Sequence, residues 1–69
     1  MKLSARNVLQ GKIVEIVKGA TTAHVKIDLG GTTITASITN EAVDDLKLEK
    51  GMAASAVVKA SDVMVGVDG

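Results

Sequence analysis

The sequence predicts a small all-β domain, and a pair of alternating runs around a double glycine carries that prediction. In HVKIDL, apolar Val25, Ile27 and Leu29 alternate with His24, Lys26 and Asp28. In TTITASIT, Ile34, Ala36 and Ile38 alternate with Thr33, Thr35, Ser37 and Thr39. Strict period-two alternation, rich in β-branched residues, marks strands with one face buried. Gly30-Gly31 lies between the runs, where a tight hairpin turn needs residues free to adopt positive φ.

The segment ahead of this hairpin, VLQGKIVEIVK, reads as a strand of another kind. Ile13, Val14, Ile16 and Val17 place apolar groups on both of its faces. Such a strand needs two apolar partners, its own core and a second surface; in so small a chain that second surface is expected on another subunit. Gly11 is expected to permit a bend or bulge there. After Thr39 the pattern changes. Asn40 can cap a helix, Glu41 suits its positive N-terminus, and Val43 and Leu46 would face inward. One short helix of about two turns is predicted, ending before Lys50-Gly51. Strand character returns in AASAVVKA and in DVMVGV, divided near Ser61-Asp62. Five strands with one short helix between the third and fourth match the order of an OB-like barrel. An SH3-like barrel is the competing small all-β solution.

Residues 1–69 form one domain, without linker, repeat or low-complexity tract. A chain of this size buries only about 60% of the surface that its unfolded form exposes, and small folds usually add disulfides, a metal or oligomerisation. There is no cysteine and only one histidine, His24, so disulfides and an ordinary zinc site are excluded. Assembly as a homo-oligomer is the remaining stabiliser. With no Phe, Tyr or Trp, the core must be aliphatic.

Composition also removes several functions. Eight basic and eight acidic residues cancel, and there is no aromatic platform for bases, so nucleic-acid binding is not expected. No stretch approaches the ~20 apolar residues of a membrane span, and the N-terminus lacks an apolar secretory core; a soluble, cytoplasmic protein without membrane contact is expected. His24 and Asp28 lie on one polar strand face, and no nucleophile elbow surrounds any serine, so the chain is not expected to be an enzyme. The DDLKLEK run reads as a solvated helix end rather than a calcium loop, and no side chain is expected to coordinate a metal directly.

What remains is a hydroxyl–cation pair at each end: Ser4 with Arg6 in MKLSARN, and Lys59 with Ser61 in VVKASDVMVGV. A tetrahedral oxyanion needs many donors and few acceptors. Arg supplies a planar fork, Lys a compact charge, and serine hydroxyls and backbone N–H groups fill the other directions. Arg6 and Lys59 together would neutralise a dianion. Taken alone, Ser-Ala-Arg-Asn is a short motif that an ordinary surface arginine near a chain end would also produce.

The chain as a whole resembles the molbindins, the Mop-type molybdate-binding proteins, whose sequence also occurs as the TOBE domain of molybdate regulators and import ATPases. The resemblance runs nearly end to end, through SARNVLQGKIVEI, KGATTAHV, the double glycine before TITASIT, and LKLEKGMAASAVVKASDVMVGV. It implies an OB-like barrel assembled as a homohexamer, a trimer of dimers, with molybdate or tungstate as ligand and no other cofactor. Carried over residue by residue, the main oxyanion site comprises Ser4, the Ala5 backbone and Arg6 from the head; Thr39; and Lys59, the Ala60 backbone and Ser61 from the tail. The family arrangement joins head and tail from neighbouring chains. Some relatives have serine where Ala42 stands here, which removes one donor. A second oxyanion site is implied at the Gly19-Ala20-Thr21-Thr22-Ala23 turn, where successive amides can form an anion nest; an ordinary hairpin loop accounts for the same residues equally well. The resemblance implies intracellular storage and homeostasis. A molybdate-sensing module acting through a protein partner is the alternative, and a chain free of DNA-binding or ATPase parts favours storage.

Overall fold

Strand β1 (Asn7–Lys18) is the axis on which the other elements hang. They are β2 (Thr22–Asp28), β3 (Thr33–Thr39), the helix α1 (Asn40–Asp45), β4 (Ala53–Val58) and a 3-10 turn (Ala60–Asp62). The fold is that of a computed structural model, which describes residues 2–69. One antiparallel sheet runs in the order β3-β2-β1-β4. Its central strand changes partner midway: Asn7 to Lys12 pair with Val58 to Ala53, and Lys12 to Lys18 pair with Asp28 to Ala23. The sheet therefore curls about the middle of β1.

Two local features allow that change. Gly11 lies so close to the β1–β2 contact that a Cβ on it would stand 2.4 Å from the Asp28 carbonyl oxygen and 2.7 Å from Ile27 Cγ2. Its role is close backbone approach. The bulge expected at this glycine lies instead between Ile13 and Glu15, where the register slips. A bulge moves subsequent side chains to the opposite face. Ile13 and Ile16, three apart, consequently both oppose core residues, Ile27 and Val25. Val14 and Val17 are left exposed on the outer face, together with Val8. The doubly apolar pattern of β1 thus divides into an inner pair and an outer stripe.

The hairpin of β2 and β3 follows its alternation. Val25 and Ile27 are buried while His24, Lys26 and Asp28 are exposed. Gly30 and Gly31 adopt φ of 92° and 134°, and the Asp28 carboxylate accepts from both of their amides. Ile13, Ala23, Val25, Ile27, Val43 and Ala56 form the buried core, with Ile34, Ile38, Leu48 and Ala54 packed against it.

Three expectations need correction. The N-cap of α1 is Thr39, whose Oγ1 accepts from the Ala42 amide at 3.0 Å; the Asn40 side chain instead donates to the Gly19 carbonyl at 3.0 Å. The helix, six residues long, has about the expected length and ends before Lys50-Gly51; the chain enters the left-handed region at Lys47 (φ 53°). Val43 is buried as expected, but Leu46 at the helix end is 62% exposed, and Leu48 beyond the reversal packs on the core in its place. Finally, the sheet has four strands. The predicted fifth, DVMVGV, joins no ladder, and Met64, Val65 and Val67 are 93%, 91% and 89% exposed. β3 and β4 are consequently open edges, and the curled sheet is not closed by a strand of this chain.

Candidate functional site

The antiparallel register of β1 and β4 brings the two chain ends together. Asn7 pairs with Val58 at the end of the ladder, so Ser4–Arg6 and Lys59–Ser61 emerge side by side. The Asn7 side chain reinforces the junction by donating through Nδ2 to the Val58 carbonyl at 3.1 Å. Arg6 Nη1 donates to the Ser4 carbonyl at 3.1 Å, which folds the guanidinium back over the head segment. In the tail, the Asp62 and Val63 amides donate to the Lys59 and Ala60 carbonyls, making the 3-10 turn. The first amides of such a turn have no partner within it, so Ala60 and Ser61 can direct theirs outward.

Two cations at this junction join no ion pair, as is also true of Lys2, Lys12, Lys47 and Lys50 among the described residues. Among the described residues the ion pairs are Lys18–Asp44 at 2.6 Å and Lys26–Glu15 at 3.8 Å. Neither Arg6 nor Lys59 is in one, and Asp62, close in sequence, does not pair with Lys59. Two neighbouring cations without an acid repel one another. A dianion between them would reverse that energy, and the hydroxyls of Ser4 and Ser61 lie on the same segments. Ser4, Arg6, Lys59, Ala60 and Ser61 are all exposed and Ala5 is half-buried, so the junction is open to a small ligand.

Thr39 is not at this junction. It pairs with Thr22 beside the C-terminal end of β1, the opposite end of a 12-residue strand. At roughly 3.3 Å per residue, about 40 Å of chain separates the two ends. Its hydroxyl accepts from the Ala42 amide, which leaves the O–H free to donate elsewhere. Within a single chain, therefore, the head and tail are joined and Thr39 stands apart from them.

The Gly19–Ala23 segment lies near Thr39. Its hairpin closes by a bond from the Gly19 amide to the Thr22 carbonyl at 2.8 Å. Asn40 holds it from outside, with its backbone amide on the Thr21 carbonyl and its side chain on the Gly19 carbonyl. The Gly19 amide is thereby used, and Ala23 is fully buried and paired with Lys18. Ala20, Thr21 and Thr22 remain exposed and are the part of the turn available to a ligand.

Two positioning residues were not assigned from sequence. For Asn7, the one signal in the sequence is its place directly after Ser-Ala-Arg. Asn40 carries the signal of a helix cap, and nothing in the sequence links it to the Gly19 turn that it holds. No group of three or more His, Cys, Asp or Glu among the described residues is placed to hold a metal ion. No helix among them is long and apolar enough to cross a membrane. The junction thus brings together one guanidinium, one ammonium and two hydroxyl-bearing segments.

The TOBE domain family model matches residues 3–65. A Haemophilus influenzae protein named "Probable molybdenum-pterin-binding protein" is 49% identical over 69 residues, spanning 99% of this chain and 100% of that protein. A solved molybdate-binding protein from Sporomusa ovata is similar with a TM-score of 0.93 and 42% identity, over 97% of this chain and 100% of that one. The cytoplasmic molybdate-binding protein ModG, in a form with molybdate bound, is similar with a TM-score of 0.93 and 49% identity, over 99% of this chain and 49% of the ModG chain. Matched in sequence and in fold along almost its whole length, the chain belongs to the TOBE domain family.

Proposed function

We propose that this protein is a non-catalytic binder of molybdate or tungstate, serving cytoplasmic storage and homeostasis, with the anions held at subunit interfaces of a homohexamer. The observation that carries the reading is the junction of Ser4–Arg6 with Lys59–Ser61, where two cations without acidic partners sit beside two hydroxyls. The similar proteins named for molybdate or molybdenum-pterin binding support the choice of ligand. In this reading Arg6 and Lys59 supply charge; Ser4, Thr39 and Ser61 supply hydroxyl donors; and Ala5 and Ala60 supply backbone amides. Ala20, Thr21 and Thr22 form the accessible part of a second oxyanion site in the turn bounded by Gly19 and Ala23.

Assembly is integral to the proposal. Thr39 lies at the far end of β1 from the junction, so it reaches an anion held there only from another copy. The exposed outer stripe of Val8, Val14 and Val17 supplies an apolar surface for such contacts. A trimer of dimers satisfies both requirements.

Selection against phosphate follows from the all-donor shell. Phosphate carries a proton near neutral pH, and a site without an acceptor leaves it unpaired at a cost of about 1–3 kcal/mol. Molybdate and tungstate carry no such proton, and their longer metal–oxygen bonds distinguish them from sulfate in a cage of fixed size. Native mass spectrometry with and without molybdate, against a sulfate control, tests the proposal. A hexamer that retains tetraoxo anions from molybdate alone is expected; failure to retain molybdate at saturating concentration would refute the reading.

A further inference from the structure

We propose that Asn40 is the positioning residue of the second oxyanion site. By occupying the Gly19 carbonyl it frees the Thr22 amide to join those of Ala20 and Thr21 in holding an anion. The inference rests on the reading of residues 19–23 as that site.

A short hairpin connection ordinarily closes on itself. Lys18 pairs with Ala23 at the end of the β1–β2 ladder, so Gly19 and Thr22 face one another across two connecting residues, Ala20 and Thr21. In a closed β-turn the first carbonyl accepts from the amide three residues on, here Gly19 from Thr22. That bond is not formed. The Gly19 amide donates to the Thr22 carbonyl at 2.8 Å without a reciprocal bond, and Ala20 and Thr21 make a bend rather than a hydrogen-bonded turn. The Gly19 carbonyl accepts instead from Asn40 Nδ2 at 3.0 Å.

The consequence is directional. A trans peptide sends its C=O and N–H in opposite directions. Asn40 holds two carbonyls of the turn, Gly19 by its side chain and Thr21 by its backbone amide at 2.8 Å. The amides of those two peptide units belong to Ala20 and Thr22, and both are therefore aimed away from Asn40. Among the described residues, the Ala20 and Thr21 amides meet no backbone acceptor. All three residues are exposed. Successive free amides make an anion nest, and the Thr21 and Thr22 hydroxyls add donors.

The donors here are neutral. Lys18, the nearest cation in sequence, is engaged with Asp44 at 2.6 Å. Binding by neutral groups depends on their being aimed beforehand, and Asn40 does the aiming. The rest of its carboxamide agrees with such a role. A carbonyl only accepts, so Nδ2 must face Gly19, which leaves Oδ1 buried with no hydrogen-bond partner. An unpaired buried acceptor is destabilising, so the side chain is set for the turn and not for the stability of its own surroundings.

Amide NMR of the isotope-labelled full-length protein, titrated with molybdate, reads the two proposed sites separately. In the native protein the Ala20, Thr21 and Thr22 amides should shift together, and the Ala60 and Ser61 amides should shift with their own midpoint. In Asn40→Ala the midpoint at Ala20, Thr21 and Thr22 should rise by about tenfold or more, as for one lost hydrogen bond to a charged group, while that at Ala60 and Ser61 holds. Equal changes in both sets, or none in either, would overturn the role of Asn40. No shift at Ala20, Thr21 and Thr22 in the native protein at saturating molybdate would remove the second site itself, and this inference with it. Hydrogen exchange needs no variant: without molybdate the Thr22 amide should exchange as freely as those of Ala20 and Thr21, and with molybdate all three should slow. A Thr22 amide already protected without the anion would show it bonded within the chain and overturn the proposal.

Discussion

The two ends of β1 carry similar residues in opposite circumstances. At its C-terminal end Lys18 is paired with Asp44 at 2.6 Å, and the Thr39 hydroxyl caps α1. At its N-terminal end Arg6 and Lys59 have hydroxyls for neighbours but no acid. One end is satisfied within the chain; at the other, neither Arg6 nor Lys59 joins an ion pair. The contrast distinguishes a cation paired within the chain from two that are not, a difference hidden by the neutrality of the whole chain.

The largest expected effect of a single change lies between the two ends. Gly11→Ala places a Cβ 2.4 Å from the Asp28 carbonyl oxygen, a backbone atom that cannot turn aside. Overpacking of this kind costs about 1–3 kcal/mol, and since both pairings of β1 meet nearby, both ends should suffer. Thermal unfolding followed by circular dichroism would measure it; an unchanged midpoint would show that the close approach is dispensable. At the N-terminal end, Arg6→Lys keeps the charge and loses the planar fork. A molybdate affinity weaker by about tenfold is expected, equivalent to ~1.4 kcal/mol, and equal affinity would remove Arg6 from direct contact.

Smaller effects are expected at the satisfied end. Thr39→Ala removes the N-cap of α1 at a cost of about 1 kcal/mol, while Thr39→Ser should restore both the cap and the free O–H. If the alanine variant loses stability but binds molybdate normally, Thr39 is a cap alone. Lys18→Ala breaks an exposed ion pair worth roughly 0.2–1 kcal/mol. It should leave molybdate affinity unchanged, and any loss of affinity would blur the distinction between the two ends.

Much of this organisation was legible in the residues. The alternation in β2 and β3 and the double glycine between them are local patterns, and local patterns survive folding. The apolar groups on both faces of β1 pointed to a second partner, and Val14 and Val17 do lie outside the core. The bulge that sorts them was placed at Gly11, because glycine signals bends and close approaches alike. Which of Thr39 and Asn40 would cap α1 was decided by competition, since Asn40 is engaged with the Gly19 carbonyl instead. Leu46 was expected inward on a helix that ends before the left-handed turn at Lys47.

For the candidate site, the residues suggested a ligand class but not where the segments would lie. Hydroxyls beside cations at both ends suggested an anion, but their convergence depends on the pairing of Asn7 with Val58, a long-range register that no short motif encodes. The separation of Thr39 from that junction is likewise a matter of topology. The fifth strand expected from the alternation in DVMVGV does not form, because alternation marks strand-like residues without supplying an edge for them to pair with.

The central claim is that the uncompensated pair Arg6 and Lys59 exists to hold a tetraoxo dianion. Titration calorimetry of molybdate into the native protein, the Arg6→Ala/Lys59→Ala variant and Lys18→Ala tests it most directly. Each charged hydrogen bond lost is worth ~1.5–3 kcal/mol, so the double variant should bind on the order of a hundredfold or more weakly, while Lys18→Ala binds as the native protein does. Equal heats and affinities in all three proteins would contradict the claim.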